Sequence, residues 1–201
     1  MKLTKKAIAI AMLGIGLSSI AYAQNGYYNM GHFYLSAQAG YGGMNKKSET
    51  VSGVSLTQKS KGFSYRVSGG YLFNISNNFV IGPEIGYFGY PDNKYKANGT
   101  TVYKFTGQVI DLLANARFYF ADNFYVLGKA GIAYTRQKAK DEITNTTKSK
   151  ILPEASLGVG YKFMKNLSAD ISYTRVFGKD RARPDQVATV DAVMAGISYL
   201  F

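Results

Sequence analysis

From position 167 to 174 apolar and polar residues alternate without interruption: Leu167, Ala169, Ile171 and Tyr173 against Ser168, Asp170, Ser172 and Thr174. A period of two is the signature of a β-strand with two unlike faces. The same pattern sets Ala155, Leu157, Val159, Tyr161 and Phe163 against Glu154, Ser156, Gly158, Gly160 and Lys162. It groups Ile110, Leu112, Ala114, Ala116, Phe118 and Phe120 on one face, and Val193, Ala195, Ile197, Tyr199 and Phe201 on another. The opposite face of that last strand, Ala192, Met194, Gly196, Ser198 and Leu200, is smaller and less uniformly apolar. Eight strands follow from the pattern, near 32–43, 62–73, 79–90, 104–120, 124–137, 151–163, 167–177 and 188–201. Short turns at 74–78, 121–123 and 164–166 alternate with long loops.

Strands of about ten residues cross a bilayer when tilted. A sheet in lipid must close, because an open edge leaves backbone groups unpaired. The expected fold is therefore all-β, an eight-stranded antiparallel up-and-down transmembrane β-barrel. The apolar faces turn to lipid, the short turns and both chain ends lie in the periplasm, and the long loops are extracellular. Aromatics collect at the strand ends: Phe73, Phe79, Phe120, Phe124, Phe163 and Phe201 at one rim, Tyr41, Phe63, Tyr65, Tyr87, Tyr134 and Tyr173 toward the other. Such girdles mark the two membrane interfaces. A soluble lipocalin-like barrel would need the reverse arrangement, with an apolar interior, and fits the charged inner face badly.

The N-terminus adds an export signal. Lys2, Lys5 and Lys6 precede an apolar run from Ala7 to Ile20, and Ala21-Tyr22-Ala23 is an A-x-A cleavage site. Residues 1–23 read as a secretory signal peptide and 24–201 as one outer-membrane barrel domain. The chain has no Cys and no Trp, but 17 Tyr, 12 Phe and 22 Gly against 4 Pro. That excludes a disulfide framework and thiol chemistry. No linker, low-complexity tract or second domain is legible.

On these features the chain resembles the small eight-stranded outer-membrane barrels, the OmpA-type transmembrane domain and its OmpX- and Ail-like porin-family relatives. The resemblance is carried by the export signal, by eight alternating strands such as 124–136 and 167–178, and by the terminal Phe201. It implies a cell outer membrane location, and a last strand whose Tyr199 and Phe201 serve as the assembly signal for the barrel-insertion machinery. It implies little about activity, since this fold hosts adhesion, membrane tethering and enzymes alike.

Alternation turns Arg66, Arg117, Lys129 and Lys162 into the lumen, with Glu84, Asp111, Glu154 and Asp170. An eight-stranded barrel has an interior just wide enough for its side chains. Buried charges persist only when paired. The expected result is an ion-pair network that plugs the lumen, with inward glycines such as Gly70, Gly86, Gly158 and Gly160 making room. The alternative is a narrow gated porin-like channel, opened when pairs exchange partners.

Charge separates the two sides of the membrane. The whole chain carries +12, and without the three lysines of the signal segment the remaining 21 basic residues face 12 acids. The inner set cancels, Asp122 offsets Lys165, and Asp191 offsets Arg175. What is left lies in the loops and outer rim: Lys46, Lys47, Lys59, Lys61, Lys94, Lys96, Lys104, Arg136, Lys138, Lys140, Lys148, Lys150, Lys179, Arg181 and Arg183 against six acids. Phosphates and sulfates attract such groups. The expected partners are outer-membrane lipids and lipopolysaccharide, and a host surface polysaccharide or protein. Nucleic acid is not expected, because secretion removes it. Enzymatic chemistry lacks its parts: the only histidine, His32, falls at the periplasmic start of the first strand. No catalytic, cofactor or metal site is expected. The functional expectation is a monomeric structural and surface-interaction barrel that supports outer-membrane integrity, with adhesion or serum resistance as its surface activities.

Overall fold

The computed structural model describes residues 31–44, 50–51, 54–55, 57–59, 61–97, 100–140, 145–179 and 187–201. The predicted signal peptide lies outside them. Eight long strands form the wall: β1 (His32–Met44), β5 (Lys61–Ser76), β6 (Phe79–Ala97), β7 (Thr100–Tyr119), β8 (Phe124–Lys140), β9 (Asn145–Met164), β10 (Leu167–Val176) and β11 (Val190–Leu200). Between β1 and β5 stand three short strands, β2 (Thr50–Val51), β3 (Val54–Ser55) and β4 (Thr57–Lys59). Each long strand pairs antiparallel with its neighbours in sequence, and β11 returns to β1. The barrel is closed, as a sheet in lipid must be.

The expected strands are present, but several are longer than the alternation suggested. β6, β7, β8 and β9 run to 19, 20, 17 and 20 residues. Their extracellular ends are polar, so hydrophobic patterning fades while backbone pairing continues. At the last strand the reverse holds: β11 begins at Val190, and Val187–Thr189 folds inward as buried chain, with Lys179 N–H bonded to the Val187 carbonyl at 3.0 Å.

The outer face is apolar throughout the membrane band; Leu157 is 70% exposed, and Ile171, Val193 and Ile197 are exposed on the same face of the wall. The periplasmic girdle is knitted by ring contacts, Phe124 with Tyr161 at 4.7 Å and Tyr161 with Phe163 at 5.1 Å. Tyr199 and Phe201 meet edge to face at 5.0 Å, and Phe201 N–H bonds the Phe33 carbonyl. His32 Nδ1 lies 3.3 Å from the Phe201 carbonyl oxygen, at the periplasmic rim where its position in the chain put it.

The candidate site: a layered lumen beneath a basic surface

The lumen has three layers. Its middle layer gathers five of the eight inward charges. Arg66 on β5 donates through Nη1 to Glu154 at 2.7 Å, and through Nη2 to Asp111 at 2.6 Å and Glu84 at 3.1 Å. Lys129 on β8 donates to the Glu84 Oε2 at 2.8 Å. That oxygen also accepts from the Tyr34 hydroxyl and from Asn115 Nδ2, the latter at 2.9 Å, while Asn115 donates to the Tyr34 hydroxyl at 2.7 Å. Glu84 is fully buried and Arg66 is 1% exposed, so this is an ion cluster removed from solvent. Such a cluster stands only because its members are mutually bonded; several kcal/mol of desolvation must be offset per ion. Gly86 gives it space: a Cβ there would lie 2.7 Å from Asp111 Oδ1 and 3.0 Å from Arg66 Nη2.

The other three inward charges stand apart from the cluster. Asp170 accepts from Gln38 Nε2 at 2.6 Å rather than from a base. The Arg117 guanidinium, buried below the cluster, lies over two rings, 5.0 Å from the centroid of Tyr34 and 5.3 Å from that of Tyr125. Lys162 sits over Tyr119 at 6.0 Å. The expectation of a fully ion-paired set of eight is therefore corrected: neutral Gln38 and aromatic faces take places expected for opposite charges. A guanidinium held on π-faces loses water at lower cost than an ammonium.

Beneath Arg117 the barrel opens into a periplasmic vestibule of about 840 Å³, lined by Leu72, Tyr119, Lys162, Lys165 and Phe201 among others. Above the cluster the lumen turns apolar. Met44, Phe88, Tyr90, Val109, Leu152, Val176, Val190 and Met194 form a buried hydrophobic body at the extracellular end. The inward charges and glycines read from the alternation did not reveal this apolar layer. Inward parity continues upward from Glu84 to Phe88 and Tyr90, and the residue type changes along it.

Outside the membrane, Lys61, Arg136, Lys150 and Lys179 are exposed. Lys59, Lys94, Lys96, Lys104, Lys138, Lys140 and Lys148 occupy strand positions on the extracellular extensions. Lys46, Lys47, Arg181 and Arg183 lie outside the described residues. Arg175 and Asp191, offset on paper, meet at 3.7 Å across the β10–β11 pair.

Comparison with known proteins gives this architecture a family. An uncharacterized protein of Coxiella burnetii is 29% identical over 96% of this chain and 96% of its own. Outer membrane protein P5 of Haemophilus influenzae is 27% identical over 98% of the chain, which spans only 60% of P5. Among solved structures, Ail of Yersinia pestis in complex with the heparin analogue sucrose octasulfate superposes with a TM-score of 0.53 at 16% identity, covering 84% of this chain and 99% of Ail. The outer membrane protein beta-barrel domain matches residues 7–201. A closed eight-stranded wall, a lipid-facing apolar belt and this match together establish that the chain is a protein of the cell outer membrane and belongs to the outer-membrane β-barrel family.

Proposed function

We propose that this protein is a lumen-sealed, non-enzymatic barrel that strengthens the outer membrane and offers a basic extracellular surface to anionic partners. The observation that carries the reading is the segregation of charge. The lumen holds its acids and bases in balance, while the excess of bases over acids lies in the loops and outer rim. Two seals stacked in one lumen, apolar above and ionic below, fit a structural barrel better than a conduit. Partners of matching chemistry are the phosphates of lipopolysaccharide and the sulfates of host polysaccharide. The co-crystallised heparin analogue on Ail supports the second for a relative in fold. Tyr199 and Phe201, paired on the outer face of the last strand, suit recognition by the barrel-insertion machinery. Binding of a soluble sulfated saccharide to the barrel in zwitterionic nanodiscs tests the surface role. Reversing Lys46, Lys47, Arg181 and Arg183 to Glu should lower affinity at least tenfold at low salt, with the difference shrinking as salt rises. Unchanged affinity overturns it.

A gated channel is the second reading, and the periplasmic vestibule below Arg117 favours it. Single-channel recording decides: openings that change with Glu84→Gln support a pore, and a silent membrane containing folded barrel supports the seal.

A further inference from the structure

One row of buried hydroxyls in the lower lumen lacks bonded partners. Along the inner wall Ser68 on β5 pairs with Ser36 on β1, Ser36 with Ser198 on β11, and Ser198 with Ser168 on β10. All four face inward and are at most 4% exposed. Among the described residues none of the four hydroxyls has a hydrogen-bond partner. Hydroxyls elsewhere in the lumen do: Thr174 donates to Ser156 at 3.0 Å, and Ser172 accepts from Gln38 at 3.3 Å. Buried hydroxyls are nearly always bonded, to protein or to ordered water. Making room for long side chains does not explain the row, since glycine or alanine would make the same room without a hydroxyl to satisfy.

The row continues at both ends to charged groups. Ser68 pairs with Gly86 on β6, and Gly86 with Asp111 on β7, whose Oδ2 is likewise buried without a partner among the described residues. At the other end Ser168 pairs with Lys162 on β9, which lines the periplasmic vestibule. A register shift between Leu167 and Ser168 sets Lys162, rather than Phe163, opposite Ser168. From Lys162 to Asp111 the register makes six strand-to-strand steps. At about 4.8 Å per step the path is about 29 Å along the wall. With strands tilted by about 40°, a row perpendicular to them climbs about 18 Å on the way. It runs from solvent at the periplasmic end to the ionic layer. Above that layer the apolar body of Phe88, Val109 and Met194 ends the polar track.

Spacing identifies what the row holds. Directly opposed residues of an antiparallel pair keep their Cβ atoms about 4.5–5.5 Å apart. That is too far for one hydroxyl to bond the next, and it suits one water between them. A water about 2.8 Å from each of two oxygens about 4.8 Å apart subtends about 118°, close to tetrahedral. Each serine hydroxyl has one donor and two acceptor sites, so it can bond the water on either side of it. The last step passes Gly86, which has no side chain to bond. Asp111 closes that gap by leaning back over it: a Cβ at Gly86 would lie 2.7 Å from Asp111 Oδ1 and 3.1 Å from Oδ2.

We infer that Ser168, Ser198, Ser36 and Ser68 carry a file of bridging waters from the periplasmic vestibule to Asp111, through which the ionic layer exchanges protons with the periplasm and not with the cell exterior. The transfer balances link by link. A proton enters from periplasmic solvent, each hydroxyl accepts one proton from the water behind it and releases its own to the water ahead, and the Asp111 carboxylate ends as a carboxyl group. Release runs the same sequence backward. Lys162, with three donors and no acceptor, fixes the orientation of the first water at the mouth. The charged and titratable groups of the layer that receives the proton are Arg66 on β5, Glu84 on β6, Lys129 on β8 and Glu154 on β9, with Tyr34 on β1 bonded to Glu84. Asp170 on β10, next to Ser168 on the inner face, is bonded to Gln38.

The test measures exchange of the Arg66 Nε–H with water, by NMR on the full mature barrel in nanodiscs. That donor belongs to the ionic layer, is buried, and has no partner among the described residues. S36V/S198V breaks the file and should slow exchange by about tenfold or more. S36T/S198T, with the same bulk and a hydroxyl, should keep about the wild-type rate. S64A removes a hydroxyl that bonds the Gly62 carbonyl nearer the extracellular end, and should leave the rate unchanged. Heat-modifiable gel mobility reports folding of each variant. If the double Val variant fails to fold, S198V alone serves, because one break interrupts a file. Sidedness is read in proteoliposomes of a single orientation: raising the pH on the periplasmic face alone should speed this base-catalysed exchange, and raising it on the extracellular face alone should not. Unchanged exchange in the Val variant, equal slowing by Thr and Val, or acceleration from the extracellular face overturns the inference.

Discussion

Two layers of the lumen fill the same barrel by opposite physics. The extracellular layer, built on Phe88, Tyr90, Val109 and Met194, excludes water by apolar packing. It is non-directional, and each fully buried side chain contributes about 1.5–3 kcal/mol. The layer below, built on Arg66, Glu84, Asp111, Glu154 and Lys129, excludes water with charges whose stability depends on every partner. An apolar layer loses in proportion to the atoms removed. A charged layer loses little while intact and much when one member leaves, because the rest become buried and unpaired. The apolar layer is the tolerant one, and the ionic layer is the one that demands a particular register.

The sharpest way to break this contrast is Arg66→Met. It strands Asp111 and Glu154 without their base and should cost about 3–5 kcal/mol, read as a lower urea midpoint for reversible unfolding in lipid. Met194→Ala, in the apolar layer, should cost about 2–3 kcal/mol, since a flexible neighbourhood relaxes into part of the cavity. If the layers act independently the double variant should be additive within about 0.5 kcal/mol; a larger coupling would show one cooperative plug. Gly86→Ala presses a methyl group onto the cluster and should cost about 1–2 kcal/mol. Ala substitution at an equivalent wall position away from Arg66 and Asp111 should not. The smallest effect is expected at Arg117→Met, within about 1 kcal/mol, because loss of two cation–π contacts is offset by removal of a desolvated cation with unpartnered Nε and Nη1. If Arg117→Met were as damaging as Arg66→Met, the distinction between a paired and a stacked cation would fail.

Much of the wall is legible in the sequence. Leu167 to Thr174 states its two faces residue by residue, and the inward parity of Arg66, Glu84, Asp111, Arg117, Lys129, Glu154, Lys162 and Asp170 follows from counting by two. Which of them meet was not legible. Arg66 gathers acids 18, 45 and 88 residues away, and only the register of the closed sheet sets those three at one height. Neutral partners were missed altogether: Tyr34, Gln38 and Asn115 carry no charge to attract notice, yet they complete the bonding of Glu84 and Asp170. The apolar layer was missed for a different reason. Phe88 and Met194 are as apolar as the lipid-facing Ile85 and Val193, and composition does not distinguish a core from a membrane.

Local patterning alone determined that this chain makes strands, how many cross the membrane, and which face of each meets lipid. Those properties repeat every two residues and need no knowledge of neighbours. Closure decided the rest. Only in the barrel do Glu84 and Arg66 reach one layer, and does Arg117 find two rings instead of a carboxylate. Each of these is a relation between strands, and a relation between strands is fixed by register, which hydrogen bonding sets across the sheet and not along the chain.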